Sequence, residues 1–276
     1  MYKDLENAYG IVQGRLIRPP GNQLQWFPQK EWEDEFKIAS EVGLSYIEFI
    51  VERKHNPNNP IWSDLGIEKI RQLAKKNGLY LNTFCNDFII DNCLINGSSV
   101  INQTLELISR GKKLGVKKLV LPLFEKSEML YSNFQNYKNV LHELGDAARE
   151  NNILIYLETV LNGEELLKVL NELNHSNIHC VFDTGNRIAF GHDIYKDIIL
   201  LGNYIKHVHI KDKTSLDENV LLGTGKVDFQ RVFQALVEIN YKGAYTFETF
   251  RGINPIETAK YNLMFTKFFE NESKRT

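Results

Sequence analysis

Four short apolar segments in the second half of the 276-residue chain end in side chains that can bind a metal ion. These side chains are Glu158, Asp183, His209 and Glu248. A carboxylate at the end of an apolar strand must be solvated, paired or bound to a cation, because burying it alone is too unfavourable. A helix cap or an ion pair explains each acid singly, but three acids that converge with an imidazole would repel one another without a cation between them. Three oxygen donors and one nitrogen fit one divalent ion, for instance Mn²⁺, Co²⁺, Mg²⁺ or Zn²⁺.

Eight short segments of mostly apolar, β-branched or aromatic residues are typical of buried parallel strands. They span Tyr9–Gln13, Tyr46–Val51, Leu79–Phe84, Lys118–Leu123, Ile153–Glu158, His179–Asp183, Ile205–Ile210 and Ala244–Glu248. The segments between them have apolar residues at helical spacing, as in Glu31–Val42 and Ile67–Lys76. Gly78 and Gly115 stand where left-handed helix C-caps are expected, and Asn162 stands at an N-cap position.

This alternation of strands and helices, without a break in composition, predicts one closed (β/α)8 TIM barrel of the α/β class over residues 1–276. An open doubly wound sheet is the alternative, but the G-x-G-x-x-G phosphate-binding pattern is missing after the first strand. In a TIM barrel the active site lies at the carboxyl ends of the strands. The fold therefore predicts that the four metal-binding side chains meet at one rim.

Charge and composition exclude several classes of protein. Lys and Arg total 33 and Asp and Glu total 35, a formal net charge of −2, so a general nucleic-acid binder is not expected. The sequence contains no apolar run of about 20 residues that could span a membrane, and its first residues lack the pattern of a signal peptide. The three cysteines form no C-x-x-C pair, which argues against a disulfide framework or a zinc knuckle. We therefore expect a cytoplasmic protein.

Five motifs resemble those of a known family. They are Tyr156-Leu-Glu158, Phe182-Asp183-Thr-Gly, His207-Val-His209-Ile-Lys-Asp212, Leu222-Gly-Thr-Gly225 followed by Val227-Asp-Phe229, and Thr246-Phe-Glu248. In order and spacing they resemble the xylose isomerase-like barrels, a superfamily of sugar and sugar-phosphate isomerases and epimerases that also contains endonuclease IV. The resemblance covers the whole chain, and its specific part is the C-terminal half.

The resemblance implies a chemistry for the four strand ends. The keto-sugar 3-epimerases of this superfamily bind one divalent metal through the residues that match Glu158, Asp183, His209 and Glu248, and their two glutamates exchange protons with the substrate. A metal that holds a carbonyl and its neighbouring hydroxyl makes enediolate formation easier. A carboxylate on each face of the sugar can then remove and return a proton. The expected partner is a small sugar or sugar phosphate, with a homo-oligomer left open.

Two departures leave the reaction open. Asn186 stands where the epimerases usually have a histidine, and Ser215 stands where they have an arginine. A keto-sugar or inosose dehydratase of the same family is therefore an alternative, as is a non-catalytic sugar-binding barrel. Endonuclease IV needs further metal-binding histidines at positions where this chain has none: Asn186 occupies one of them, and no Asp-x-His follows His209. This difference argues against DNA repair.

Other side chains near the predicted rim are candidates for substrate contact. They are Gln13, Arg15, Asn186, Lys211 and Arg251. Surface exposure is the alternative for the two arginines, helix capping is the alternative for Asn186, and a plain salt bridge is the alternative for Lys211.

Further residues have more than one interpretation. Asn86 and Asp87 follow the third strand and are weaker pocket candidates. Glu48 could reach the pocket, but a structural role such as pairing with a lysine or arginine of a neighbouring strand is the favoured interpretation. His207 is expected to be a hydrogen-bonded histidine below His209. Three aromatic residues in the loops after the first two strands could form a pocket wall, loop cores or an interface between two barrels: Trp26, Phe27 and Trp62.

Overall fold

Eight parallel strands close into a barrel in the computed structural model, which describes residues 7–21 and 23–275. The strands are β1 (Tyr9–Val12), β2 (Tyr46–Val51), β3 (Tyr80–Asn86), β4 (Lys118–Leu123), β5 (Leu154–Thr159), β6 (Ile178–Asp183), β7 (Ile205–Ile210) and β8 (Ala244–Phe247). Each strand pairs with its neighbour in the chain, and β1 pairs with β8 to close the ring. The predicted barrel is confirmed, with strand ends that differ from the prediction by at most two residues.

Helices connect the strands and cover the outside of the barrel. They are α1 (Asp34–Val42), α2 (Asp64–Asn77), α3 (Phe88–Asp91), α4 (Ser98–Leu114), α5 (Phe134–Glu150), α6 (Gly163–Leu173), α7 (Thr184–Ala189), α8 (Ile194–Leu201), α9 (Phe229–Glu238) and α10 (Pro255–Ser273). Gly78 and Gly115 are left-handed C-caps of α2 and α4, and Asn162 caps α6, as predicted. The helix predicted from Glu31 begins at Asp34, because residues 28–34 form successive i+3 turns.

The main apolar core lies between the strands and the helices, whereas the inside of the barrel is partly polar. Along β7, Val208 and Ile210 belong to the main core, while His207 and His209 point inward. The amino-terminal end of the interior is filled by the Tyr46 ring, which lies where a side chain at Gly10 would otherwise be. A Cβ at position 10 would be 2.2 Å from that ring, so this position requires glycine.

A short antiparallel hairpin follows β7, in which Asp212–Lys213 pairs with Asn219–Val220. The buried Asp212 carboxylate accepts hydrogen bonds from the backbone N–H groups of Gly223, Gly225 and Val227 at 2.8–3.1 Å. The glycine-rich motif after β7 is therefore a turn built around one carboxylate, and this turn fixes the end of the strand that contains His209.

The described helices do not indicate a membrane span. Among residues 7–21 and 23–275, no helix combines the length and the apolar character that a bilayer span requires.

Candidate active site

The four predicted metal-binding side chains come together at the carboxyl ends of β5 to β8. One donor atom from each of Glu158, Asp183, His209 and Glu248 lies within 4.8 Å of the others, and all four residues are buried. His209 Nδ1 is 3.3 Å from Glu248 Oε2, 3.8 Å from Glu158 Oε2 and 3.9 Å from Asp183 Oδ2. Asp183 and His209 are register partners on adjacent strands, and the two glutamates approach from the strands on either side.

The donor set and its spacing fit a single divalent ion. Ligands that lie about 2.1 Å from a metal are about 3–3.5 Å from one another, close to the separations around His209 Nδ1. This nitrogen is buried, and among the described residues it has no hydrogen-bond partner with suitable geometry. An ion at the centre of the cluster would satisfy that nitrogen and offset the charge of the three carboxylates.

Two buried cations lie beside the cluster. Lys211 Nζ is 3.0 Å from Asp183 Oδ2 and 2.9 Å from Glu248 Oε2. Arg15 is 1% exposed, and its Nη2 atom is 3.4 Å from Glu248 Oε1. The surface interpretation of Arg15 is therefore wrong, because the loop after β1 folds over the rim and buries the guanidinium. Lys211 pairs with two of the acids, as one interpretation of the sequence anticipated.

The two glutamates have opposite electrostatic environments. Burial is the main reason that the pKa of Glu158 rises to about 8; Glu248 and Asp183 add to the rise, and His209 opposes it. Burial alone would also raise the pKa of Glu248, but Lys211 and His209, helped by Arg15, hold it well below its usual range. In the ion-free protein at neutral pH, one carboxyl is thus favoured as an acid and the other as a base.

Asn186 joins the cluster through its side chain. Its Nδ2 atom donates to Glu158 Oε1 at 3.0 Å, and its Oδ1 atom accepts from Lys211 Nζ at 3.2 Å. The N-cap of α7 is Asp183, which accepts from the Asn186 backbone N–H at 2.7 Å. The capping interpretation of Asn186 is therefore wrong, and its amide faces the same cavity as Glu158.

A cavity of about 410 Å³ opens at the cluster and is lined by Glu158, His209 and Glu248. Its apolar walls include Leu24, Ile90, Pro122 and Phe124. Of the three interpretations of the loop aromatics, the pocket wall finds no support: among the described residues, this lining does not include Trp26, Phe27 or Trp62. Phe27 packs on Val12 and Ile50, while Trp62 packs on the main core and near the His55 ring. Phe27 and Trp62 are thus loop-core residues, whereas the cavity lining includes the ring of Phe124.

Gln13 and Arg251 hold the β1 loop in place and do not line the cavity. Gln13 Oε1 accepts from the Ile50 backbone N–H at 3.3 Å. Arg251 is buried and donates to the carbonyl oxygens of Gly14, at 2.8 Å, and Gln23, at 2.7 Å. The exposed interpretation of Arg251 is therefore wrong, since its guanidinium binds the folded loop.

Two functional positions had no clear signal in the sequence. Gln25, in the middle of the β1 loop, donates to Glu248 Oε1 at 3.2 Å and accepts from Arg15 at 2.7 Å. Glu35, in the first turn of α1, is fully buried and accepts from the Gly14 N–H at 2.7 Å. Glu35 thus binds the N–H of Gly14, and Arg251 binds its carbonyl oxygen. These two contacts fix Gly14 and place the next residue, Arg15, beside Glu248.

The polar residues after β3 divide into one cavity residue and one structural residue. Asp87 lines the cavity and accepts from Cys85 Sγ at 3.2 Å, and burial raises the pKa of its carboxyl to about 7. Asn86 donates to Thr104 at 3.1 Å, away from the cavity lining. Asp87 is therefore positioned to meet a ligand hydroxyl.

Glu35 leads to a prediction about stability and pH. Burial raises the pKa of Glu35 to about 8 against an ordinary value of 4.5. Its neutral form therefore stabilises the fold fully below pH 4.5, and this stabilisation is lost as the pH rises through 8. Glu35→Gln keeps an acceptor for the Gly14 N–H without the charge. We expect its melting temperature, relative to the wild type, to rise by several degrees between pH 5 and pH 9.

Thermal melts at both pH values measure this difference. Glu33→Gln, an exposed carboxyl that pairs with Lys69 just before α1, is the matched control and should show much less pH dependence. A difference between Glu35→Gln and the wild type that stays constant from pH 5 to pH 9 would show that Glu35 is ionised in the fold throughout.

Comparison with known proteins assigns the chain to a family. A profile of the xylose isomerase-like TIM barrel family matches residues 36–268, so the chain belongs to this family. A solved structure described as a xylose isomerase-like TIM barrel protein from Mycobacterium smegmatis in complex with magnesium has a TM-score of 0.73. The two sequences are 17% identical, and the structural match covers 97% of each chain, which shows the shared fold.

Curated relatives of the chain include epimerases and dehydratases. An L-ribulose 3-epimerase of Methylomonas sp. (strain DH-1) is 33% identical over 126 residues, covering 43% of each chain. An inosose dehydratase of Clostridium tetani (strain Massachusetts / E88) is 29% identical over 172 residues, covering 51% of this chain and 57% of the relative. The matched region thus spans about half the length of these relatives.

Proposed function

We propose that the protein is a divalent-metal-dependent isomerase or epimerase that acts on a small sugar. The observation that supports this most is the buried cluster of Glu158, Asp183, His209 and Glu248, in which the two glutamates and the histidine also line a cavity. The epimerases among its relatives and the magnesium complex of a protein with the same fold agree with this proposal.

The four residues have distinct roles in the proposed reaction. Asp183 and His209 would hold the ion, and Glu158 and Glu248 would serve both as ligands and as proton-transfer groups. When bound, the ion supplies Lewis-acid polarisation of a substrate carbonyl. The two glutamates carry out the proton transfers.

Proton transfer needs no redox cofactor. Glu248, as the carboxylate, removes a proton from the carbon next to the carbonyl, and the electron pair of that C–H bond moves into the enediolate form of the sugar. Glu158, as the acid, returns a proton to the opposite face, so the C–H bond is restored with inverted configuration. The two glutamates have then exchanged protonation states, and solvent resets them. In the reverse reaction, Glu158 is the base and Glu248 is the acid.

The cavity favours an unphosphorylated sugar over a sugar phosphate. Its volume of about 410 Å³ lies in the range of small-molecule sites. Arg53 is the one lysine or arginine among the described lining residues, and it already pairs with Glu125. Asp87 and Asn186 offer hydrogen bonds to hydroxyl groups. A phosphate would need cations that are not otherwise engaged.

A dehydratase is the second candidate, because an inosose dehydratase is among the curated relatives. Loss of water from a keto-sugar begins with the same proton removal and then expels a hydroxide, which Glu158 as the acid protonates.

The test combines metal analysis with proton exchange. Purified protein is examined for bound Mn, Co, Mg and Zn, then incubated in D₂O with pairs such as fructose and fructose 6-phosphate, and ribulose and ribulose 5-phosphate. About one ion per chain, with deuterium entering a carbon next to the carbonyl, is the expected result. Deuterium incorporation with loss of water favours the dehydratase. A protein that binds none of these ions overturns the proposal and leaves a non-catalytic sugar-binding barrel.

A further inference from the structure

A polar network lies inside the barrel, one layer below the four-residue cluster. Glu48, on β2, is completely buried and faces both histidines of β7 across the interior. Its Oε2 atom is hydrogen-bonded to His207 Nε2 at 2.8 Å. Its Oε1 atom is 3.0 Å from His209 Nε2, a close charge contact whose angles fall outside hydrogen-bond geometry in the ion-free site. The expectation that Glu48 pairs with a lysine or arginine is therefore wrong, whereas His207 is hydrogen-bonded as predicted.

The two nitrogens of His209 face different groups. Nε2 faces Glu48, and Nδ1 faces Glu158, Asp183 and Glu248. A neutral imidazole has one N–H and one lone pair, and a carboxylate, which only accepts, requires the N–H on its own side. Glu48 therefore favours the tautomer whose lone pair, on Nδ1, points into the cluster.

We propose that Glu48 is the positioning residue of the metal site: by accepting the Nε2 proton of His209, it orients the ring and presents Nδ1 to the ion. This inference rests on the proposed function, since it assumes that the cluster binds a divalent ion. Carboxylate partners of metal-binding histidines fix the tautomer and raise the basicity of the ligand nitrogen.

His207 and Thr246 keep Glu48 in place. Thr246 Oγ1 is 2.9 Å from His207 Nε2 and 2.6 Å from the hydroxyl of Tyr46. The His207 ring also stacks on Tyr156, with a centroid distance of 5.9 Å. One oxygen of Glu48 is thus tied to a packed histidine, which leaves the other oxygen at a constant position beneath His209. Within the described residues, the cavity touches Glu48 and His209 but not His207 or Thr246.

The experiment measures ion affinity separately from catalysis. Metal-stripped wild type, Glu48→Gln and Glu48→Leu are titrated with Co²⁺, and binding is followed by calorimetry and by the visible spectrum of the bound ion. We expect Glu48→Gln, which keeps an acceptor but loses the charge, to bind Co²⁺ about 10-fold more weakly. Glu48→Leu, which loses both, should bind about 100-fold more weakly.

Glu270→Gln is the matched control. Glu270 is also a buried glutamate, and its carboxylate contacts Tyr9 of β1 and Lys274 of the chain end, away from the cluster. Its replacement should leave Co²⁺ affinity unchanged. A purely structural Glu48 would lower the melting temperature of the ion-free protein without changing Co²⁺ affinity or the spectrum.

Wild-type Co²⁺ affinity in both folded Glu48 variants would overturn the inference while leaving the proposed function intact. Failure of the wild type to bind Co²⁺, Mn²⁺, Mg²⁺ or Zn²⁺ overturns both. If the Glu48 variants do not fold, His207→Gln decides instead, because it keeps the Glu48 carboxylate but loosens the anchor of its Oε2 atom, so that Oε1 is no longer fixed beneath His209. Weaker Co²⁺ binding by this variant supports the inference, and unchanged affinity contradicts it.

Discussion

Glu158→Gln and Glu248→Gln should each lower sugar interconversion by a factor of about 10²–10⁴, the usual contribution of a positioned acid or base. Glutamine keeps a side-chain oxygen for the ion and nearly the same volume, but it cannot take up or release the proton. Epimerisation needs one proton-transfer group on each face of the sugar, so the loss of either glutamate stops the full reaction.

Conversion between epimers and deuterium uptake from D₂O should be measured together. Each variant is expected to lose interconversion, while slow exchange at the face of the remaining glutamate persists. Glu125→Gln is the control, because this carboxylate also lines the cavity but pairs with Arg53. Full interconversion in both cluster variants would rule out the two-glutamate mechanism and move proton transfer to another group such as Asp87.

Removal of the ion should abolish activity and reduce stability. Without it, three carboxylates and an imidazole share one buried site, with Lys211 and Arg15 as the cations beside them. An ion present at 100 times its Kd adds about 2.7 kcal/mol to the free energy of unfolding. Treatment with a chelator should therefore lower the melting temperature and stop proton exchange, and added Mn²⁺ or Mg²⁺ should restore both.

Asp183→Asn separates loss of the ion from loss of local structure. Asparagine still caps α7 by accepting the Asn186 N–H, but it provides a weaker, neutral ligand. We expect this variant to fold and to hold well below one ion per chain by elemental analysis. Asp193→Asn, the same substitution at the N-cap of α8, should keep its ion. Full ion content in Asp183→Asn would remove Asp183 from the ligand set.

The barrel and the four-residue cluster were predictable from the sequence for one physical reason. Parallel strands buried on both faces appear as short apolar runs, and a closed ring of them places every carboxyl end at the same rim. Glu158, Asp183, His209 and Glu248 each end or nearly end such a run, so their convergence required no knowledge of loop structure. The equal parity of His207 and His209 similarly indicated that both point inward.

The tertiary structure alone decided what surrounds the cluster. Arg15 and Arg251 are buried because the β1 loop folds back over the rim, and such a loop has no periodic pattern that would predict its path. Glu48 meets two histidines because β2 faces β7 across the barrel, a relationship that neither strand encodes by itself. The opposite pKa shifts of Glu158 and Glu248 arise from the same cause, since burial and the distance to Lys211 depend on how distant segments pack.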